Sequence, residues 1–290
     1  MMIGVFLVRV PAPGWAPDGY DPSSLTQKAL VTSNHVSAAN AIRTPQFWLL
    51  WTVLLCNVTA GIGLPENAKP TIQDFFREKS ADGLWVSTLA DDAAGAAVVA
   101  GGFVALLSVA NMAGRFGWST ASDYLGRKTT YVLFLGAGMV LYLALASGLA
   151  GTSTALFVLV CMVIVSFYGG GFATVPSYLR DLFGTFQVGA IHGRLLTAWS
   201  TAGVLGPLII NGVLDSREPV QGPNPLAGQT VDGVVQPDTI EVLTATDYSL
   251  GLFIMVGILA IGFAANLLIK PVAERFHEQD AVTDAVDAGH

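Results

Sequence analysis

Charge is what this chain has least of. Only 12% of its 290 residues are Asp, Glu, Lys or Arg, where an ordinary soluble domain carries about 25%. Six runs lack charge altogether: 47–64, 93–113, 129–150, 154–176, 195–213 and 249–269. A soluble helical bundle would interrupt such runs with a polar face at the helical period, so that class is excluded. Cysteine is scarce too. Cys56 and Cys161 are the only two, both inside apolar runs with no second ligand near. That excludes a disulfide framework or a thiolate metal site and leaves them as small hydrophobes. Catalytic signatures are missing: no G-x-S-x-G, H-E-x-x-H, G-x-x-x-x-G-K-[ST] or C-x-x-C occurs, so nothing points to an enzyme, a metal or a cofactor. The net charge of −7 falls mostly on loops and tail and implies no nucleic-acid partner.

What is there is hydrophobic length. Each run is about 20 residues, enough at about 1.5 Å per residue to cross roughly 30 Å of hydrocarbon. Gly and Ala recur inside them, as in "GAAVVAGGF" and "YGGGFATV". Small residues let membrane helices approach closely, where dispersion replaces the hydrophobic effect. The Gly-rich "YGGGFATV" follows no strand pattern and reads as close packing or a hinge, not a phosphate cradle. The expected fold is therefore an all-α membrane protein with six transmembrane helices.

Around those helices the chain divides into a mixed segment at 1–46, the helical region at 47–270 and an acidic tail at 271–290. "MMIGVFLV" at the start has no basic residue before it and runs toward Pro11, which does not fit a signal peptide. Segment 214–247 is long, acidic and rich in Pro and Gly, and reads as a poorly ordered outer loop.

Lys and Arg set the orientation. With the N-terminus inside, inner segments hold ten of the 14 basic residues and outer loops hold Lys69, Arg77, Lys79 and Arg217. The outer four are diluted by acids, Asp74 among them. Both termini are thus expected in the cytoplasm, with the chain spanning the plasma (inner) membrane.

One charged stretch is unusual. "WSTASDYLGRK", residues 118–128, separates the second and third runs and reads as a short inner loop. Inner loops attract bases and Lys128 suits a helix end. Neither fact accounts for Asp123 standing four residues before Arg127, with Gly126 between. An i, i+4 pair faces itself on a helical turn. Gly126 permits a tight reversal, and the Arg127 fork can hold a carboxylate and helix-end carbonyls together.

This order, a small residue, then Asp, then Gly-Arg-Lys, resembles the loop signature of the major facilitator superfamily, with Ser119 where that family has Gly. "RTPQFWLLWTVLLCNVTAGIG", "NMAGRFGWSTASDYLGRK" and "GGGFATVPSYLRDLFGTFQVGAIHGRLLTAWSTAGVLGP" resemble its oxalate/formate antiporter branch over roughly residues 40–210. The resemblance is to the second of two six-helix halves, with "VRVPAPGWAPDGY" similar to the connector between them.

The resemblance implies transport of a small organic anion by alternating access, with a lipid bilayer, a small-molecule substrate and an N-terminal six-helix half as partners. It implies a cytoplasmic gate or latch at Asp123, Gly126, Arg127 and Lys128, with Arg115 just before them. Polar residues at span depth are the substrate-pathway candidates: Asn57, Tyr168, Thr197, Trp199 and Ser200. Packing accounts equally well for each of these. Asn111 and Asn266 lie nearer span ends, where a helix–helix hydrogen bond is the simpler role. Arg194 reads as a snorkelling or latching group.

No span core supplies Lys or Arg, so this half gives no support to a dicarboxylate; a monocarboxylate with a cation from the other half, or a different solute, stays open. The competing class is a non-transporting membrane interaction or sensor protein that uses the acidic loop and tail.

Overall fold

The computed structural model describes residues 30–278 apart from Ser33, Asp232 and Gly233. The expectations for 1–29 and for the end of the acidic tail lie outside the described residues.

Helix starts follow from local chemistry. A one-turn helix α1 (Ala38–Ala41) is capped by Ser37. Thr44 then caps α2 (Pro45–Glu66) by accepting from the Phe47 amide, with Pro45 in the first turn, where its missing N–H costs nothing. A short helix α3 (Ala68–Phe75) follows. Asp92 accepts from Gly95 N at the start of α4 (Ala93–Leu125). After α4 come α5 (Arg127–Ala146), α6 (Thr154–Phe183), α7 (Val188–Leu195) and α8 (Thr197–Leu214). Thr244 and Asp247 form a reciprocal capping box at the start of α9 (Ala245–Leu268).

Six helical segments, with α7 and α8 counted as one, are long and apolar enough to cross a membrane. The protein is a multi-pass integral membrane protein. Five of the six spans exceed their apolar runs, among them α4 with 33 residues and α6 with 30. These two run on into turns that the sequence assigns to loops.

The segment between α8 and α9 is not featureless. Strand β3 (Val220–Pro223) pairs antiparallel with β6 (Thr239–Val242), and β4 (Thr230–Val231) with β5 (Val234–Val235). A third ribbon joins β1 (Arg77–Lys79) to β2 (Trp85–Ser87). All three lie outside the helices, on what we call the hairpin side. The ends of the described chain meet on the opposite, termini side, where Glu278 N donates to His35 O and the Gln46 side-chain amide to Pro271 O.

Burial is uneven. In α2, 67% of the apolar window is buried, against 28% in both α4 and α7–α8. α2 and α6 are thus the inner helices, and α4 and α8 present open faces. The crossing of α4 on α6 depends on small residues. A Cβ at Gly114 would strike the Ser166 backbone, and one at Gly169 would strike the Asn111 carbonyl. Around this crossing pack Trp118, Phe134 and Phe167, with ring centroids 5.3–5.5 Å apart. "YGGGFATV" is therefore a close-packing element of α6.

Candidate functional site

The stretch 118–128 is not a loop. Helix α4 continues through Leu125, α5 begins at Arg127, and the chain reverses at Gly126 alone. Gly126 has φ 86°, a region that residues with a Cβ rarely enter. The polar residues of this turn misled the sequence reading, because at a membrane surface a helix no longer needs apolar side chains.

Arg127 is the hub of the turn. Its guanidinium donates to Ser122 Oγ and Asp123 Oδ1 on α4, and its Nε lies 3.8 Å from Asp181 Oδ2 on α6. The Arg127 side chain is only 15% exposed while Asp123 is 61% exposed. Lys128 turns the other way. Its Nζ donates to the carbonyls of Leu267 (2.9 Å) and Ile269 (2.8 Å), at the end of α9. A cation there satisfies carbonyls that the helix leaves without partners. Asn266 completes the joint, donating to Lys128 O at 2.9 Å and accepting from Tyr178 OH at 3.1 Å. Asp123, Gly126, Arg127 and Lys128 thus tie together the termini-side ends of α4, α5, α6 and α9. The partners named here lie within this bundle.

Arg115 stands apart from that group. It sits three turns earlier on α4, where Ser108, Asn111 and Arg115 share one helical face. With Tyr168 of α6 and Pro65 and Ala68 at the α2–α3 junction, they line a cavity of about 460 Å³. Arg115 Nε donates to Asn111 Oδ1 at 3.2 Å, and the guanidinium lies 5.4 Å from the Phe172 ring centroid. The sequence reading closed this span at residue 113, just short of the cation. Because α4 extends to Leu125, Arg115 lies within the helix and the span is not free of charge. The polar spacing 108, 111, 115 was the available signal.

The remaining candidates divide. Tyr168 lines the cavity and packs against Gly61 of α2. Asn57 lies one turn away on the same α2–α6 seam, against Gly171, buried and with its Nδ2 unpartnered. Trp199 of α8 is 39% exposed and meets Phe172 at 5.4 Å between centroids. Phe172 thereby joins Trp199 to Arg115. Thr197 accepts from Trp51 Nε1 at 2.9 Å and donates to Arg194 O at 2.8 Å, which makes it the α7–α8 joint. Ser200 is exposed and donates to Leu196 O at 3.4 Å. Arg194 donates to Ala38 O and so holds the segment before α2. The structure gathers Arg115, Tyr168 and Trp199, keeps Asn57 adjacent, and sets Thr197 and Ser200 aside. Ser108 and Phe172 were missed in the sequence.

The arrangement is one of a bundle with charged joints at the membrane surface and one cation beside a polar cavity. A family model for the Major Facilitator Superfamily matches residues 1–207. The oxalate:formate antiporter of Oxalobacter formigenes is 28% identical to this chain over 180 residues, covering 62% of this chain and 38% of that protein. The chain thus spans well under two-thirds of the length of this curated relative. The superfamily match over most of the chain and the six-helix architecture agree: this chain is a transporter-type protein, not an enzyme, and belongs to the Major Facilitator Superfamily.

Proposed function

We propose that this chain is the C-terminal half of a secondary transporter that moves a small, monocarboxylate-like organic anion by alternating access. The observation that carries the proposal is Arg115 at the cavity. Among the described residues it has no carboxylate partner. Arg115 is exposed on the open face of α4; within a bilayer a guanidinium there needs an anion or water to meet it, and its planar fork matches a carboxylate. Ser108, Asn111 and Tyr168 add polar contacts around a space of about 460 Å³, enough for an acid of a few carbons. One cation suits one carboxylate. A second acidic group would need a second cation, supplied from beyond this bundle.

The open faces of α4 and α8 and the 38% coverage of the relative support a second six-helix half packed there. Two halves then rock about the shared cavity. The joint at Arg127 and Lys128 ties the helix ends of this half together and, with its partner present, forms the cytoplasmic latch. The Lys and Arg bias supports a termini side in the cytoplasm, with the plasma (inner) membrane as the bilayer of this proposal.

The test is anion binding by the purified chain, followed by tryptophan fluorescence with formate, lactate and oxalate, and uptake in proteoliposomes beside a co-expressed N-terminal half of the relative. Arg115→Gln should weaken binding by about tenfold or more, the loss of a charge-assisted pair, while Arg115→Lys retains part of it. Unchanged binding in Arg115→Gln would sink the anion site. Uptake by this chain alone would refute its being half of a carrier.

A further inference from the structure

A second polar cluster lies at the other end of the molecule. Asp74 on α3 is buried, 7% exposed. Its Oδ2 accepts from Tyr248 OH of α9 at 2.8 Å and its Oδ1 from Arg77 Nε of β1 at 3.2 Å. Phe75 packs beside it on Phe157 of α6 and on Tyr248, at 4.8 and 5.6 Å between centroids. The short helix carrying them stands between two spaces. Ala68, at one end of α3, lines the Arg115 cavity. Gln73, near the other end, and Arg77 just beyond line a separate cavity of about 340 Å³ on the hairpin side. Along α4 the same order repeats, with Ala93 and Ala96 at the hairpin-side cavity and Val104 to Arg115 at the inner one. α3 separates the two.

We propose that α3 is the hairpin-side lid of the Arg115 cavity and that Asp74, held between Tyr248 and Arg77, is a proton-binding clasp that fixes it shut. The lid assignment rests on the cavity being the solute path. The hinge is present: α2 ends with Pro65 inside its last turn, which removes a backbone donor and loosens that turn. Asn67 then breaks the helix before α3 begins.

The groups facing Asp74 are few. Among the described residues, β1 brings Arg77 and α9 brings Tyr248 and Asp247 to Asp74, while Phe157 of α6 meets its neighbour Phe75. Burial raises the Asp74 pKa and outweighs the lowering by the Tyr248 and Arg77 bonds, while the nearby Asp247 adds to the rise. A carboxyl whose pKa is higher in the closed lid than in water binds its proton more tightly when the lid is shut. Protonation therefore favours closure, and opening grows as pH rises through the closed-state value.

The test is amide hydrogen exchange across residues 68–75 of the whole chain in nanodiscs, at about pH 3.5, below the ordinary carboxylate range, and about pH 8, corrected for intrinsic exchange. Coupling of ordinary size moves the open-to-closed ratio by about fivefold or more, so exchange should be faster at the higher pH by that factor. Asp74→Asn should abolish the pH response. Tyr248→Phe, which removes the α9 anchor and keeps the ring, should speed exchange at both values. Equal corrected exchange at the two pH values, or a pH response that survives Asp74→Asn, overturns the clasp. Should Asp74→Asn not fold, wild-type exchange and Tyr248→Phe still decide. Exchange is read without any solute. A lid that moves in a chain that binds no anion leaves the clasp standing and removes the solute path.

Discussion

The two ends of this bundle are joined by opposite chemistry. On the termini side the joint is cationic. Arg127 and Lys128 reach outward to carbonyls, hydroxyls and carboxylates, and Asp123 stays largely in solvent. On the hairpin side the joint is a carboxylate taken out of solvent, with a phenol and a guanidinium brought to it. Solvated ions form and break at little cost. A buried carboxylate holds firmly while its partners stay and destabilises when one leaves. The first joint suits repeated small rearrangement around fixed helix ends. The second suits a lid with two states selected by a proton.

The comparison can be broken most directly at Asp74. Asp74→Ala strands the Tyr248 hydroxyl and the Arg77 guanidinium, and should cost about 3 kcal/mol in thermal unfolding of the solubilised chain. A smaller effect is expected at Asn266, which links Tyr178 to the Lys128 carbonyl. Asn266→Ala removes one buried and one partly buried hydrogen bond and should cost about 2 kcal/mol in the same measurement. If Asn266→Ala were the more damaging, the termini side would be the rigid joint and the contrast would reverse.

The two joints were unequally legible in the sequence. The six spans, the reversal at Gly126 and the Asp123–Arg127 pair follow from composition and from spacing within one turn. Asp74 did not stand out. It sat in an apparently ordinary acidic loop, and its phenol partner lies 174 residues away. No local pattern encodes that meeting; α3 and the start of α9 must first pack. Arg115 was visible but misplaced, since hydropathy ended the span where polar residues began, while the helix itself continued. The β3–β6 pairing was hidden for the same reason as Asp74: Val220 and Val242 are distant in sequence, with Pro and Gly between them.

Lys128 tests a middle case. Lys128→Met keeps much of the aliphatic stem and removes the ammonium from Leu267 O and Ile269 O. Those carbonyls lie near water at a helix end and can be rehydrated, so the expected loss is about 1 kcal/mol. Exchange at amides near 266–269 should rise with it, while amides of α3 stay unchanged.

The smallest effect is expected at Asp123. Its carboxylate is 61% exposed, and Arg127 keeps Ser122 and Asp181 when it goes. Asp123→Asn should therefore cost no more than about 1 kcal/mol of stability at low salt, and less as ionic strength rises. Its effect on uptake with a partner half should be larger than its effect on stability, since a latch is read in the transport cycle and not in the resting fold. Exchanging the pair, with Asp123→Arg and Arg127→Asp together, separates the two roles. The swap restores an ion pair across one helical turn but puts a carboxylate in place of the guanidinium that lies 3.8 Å from Asp181 of α6. Recovery of uptake by the swap would mean that the local pair suffices. Failure of the swap, with Asp123→Asn still folded, assigns the latch to the link between α4 and α6 through Arg127, with Asp123 orienting that guanidinium.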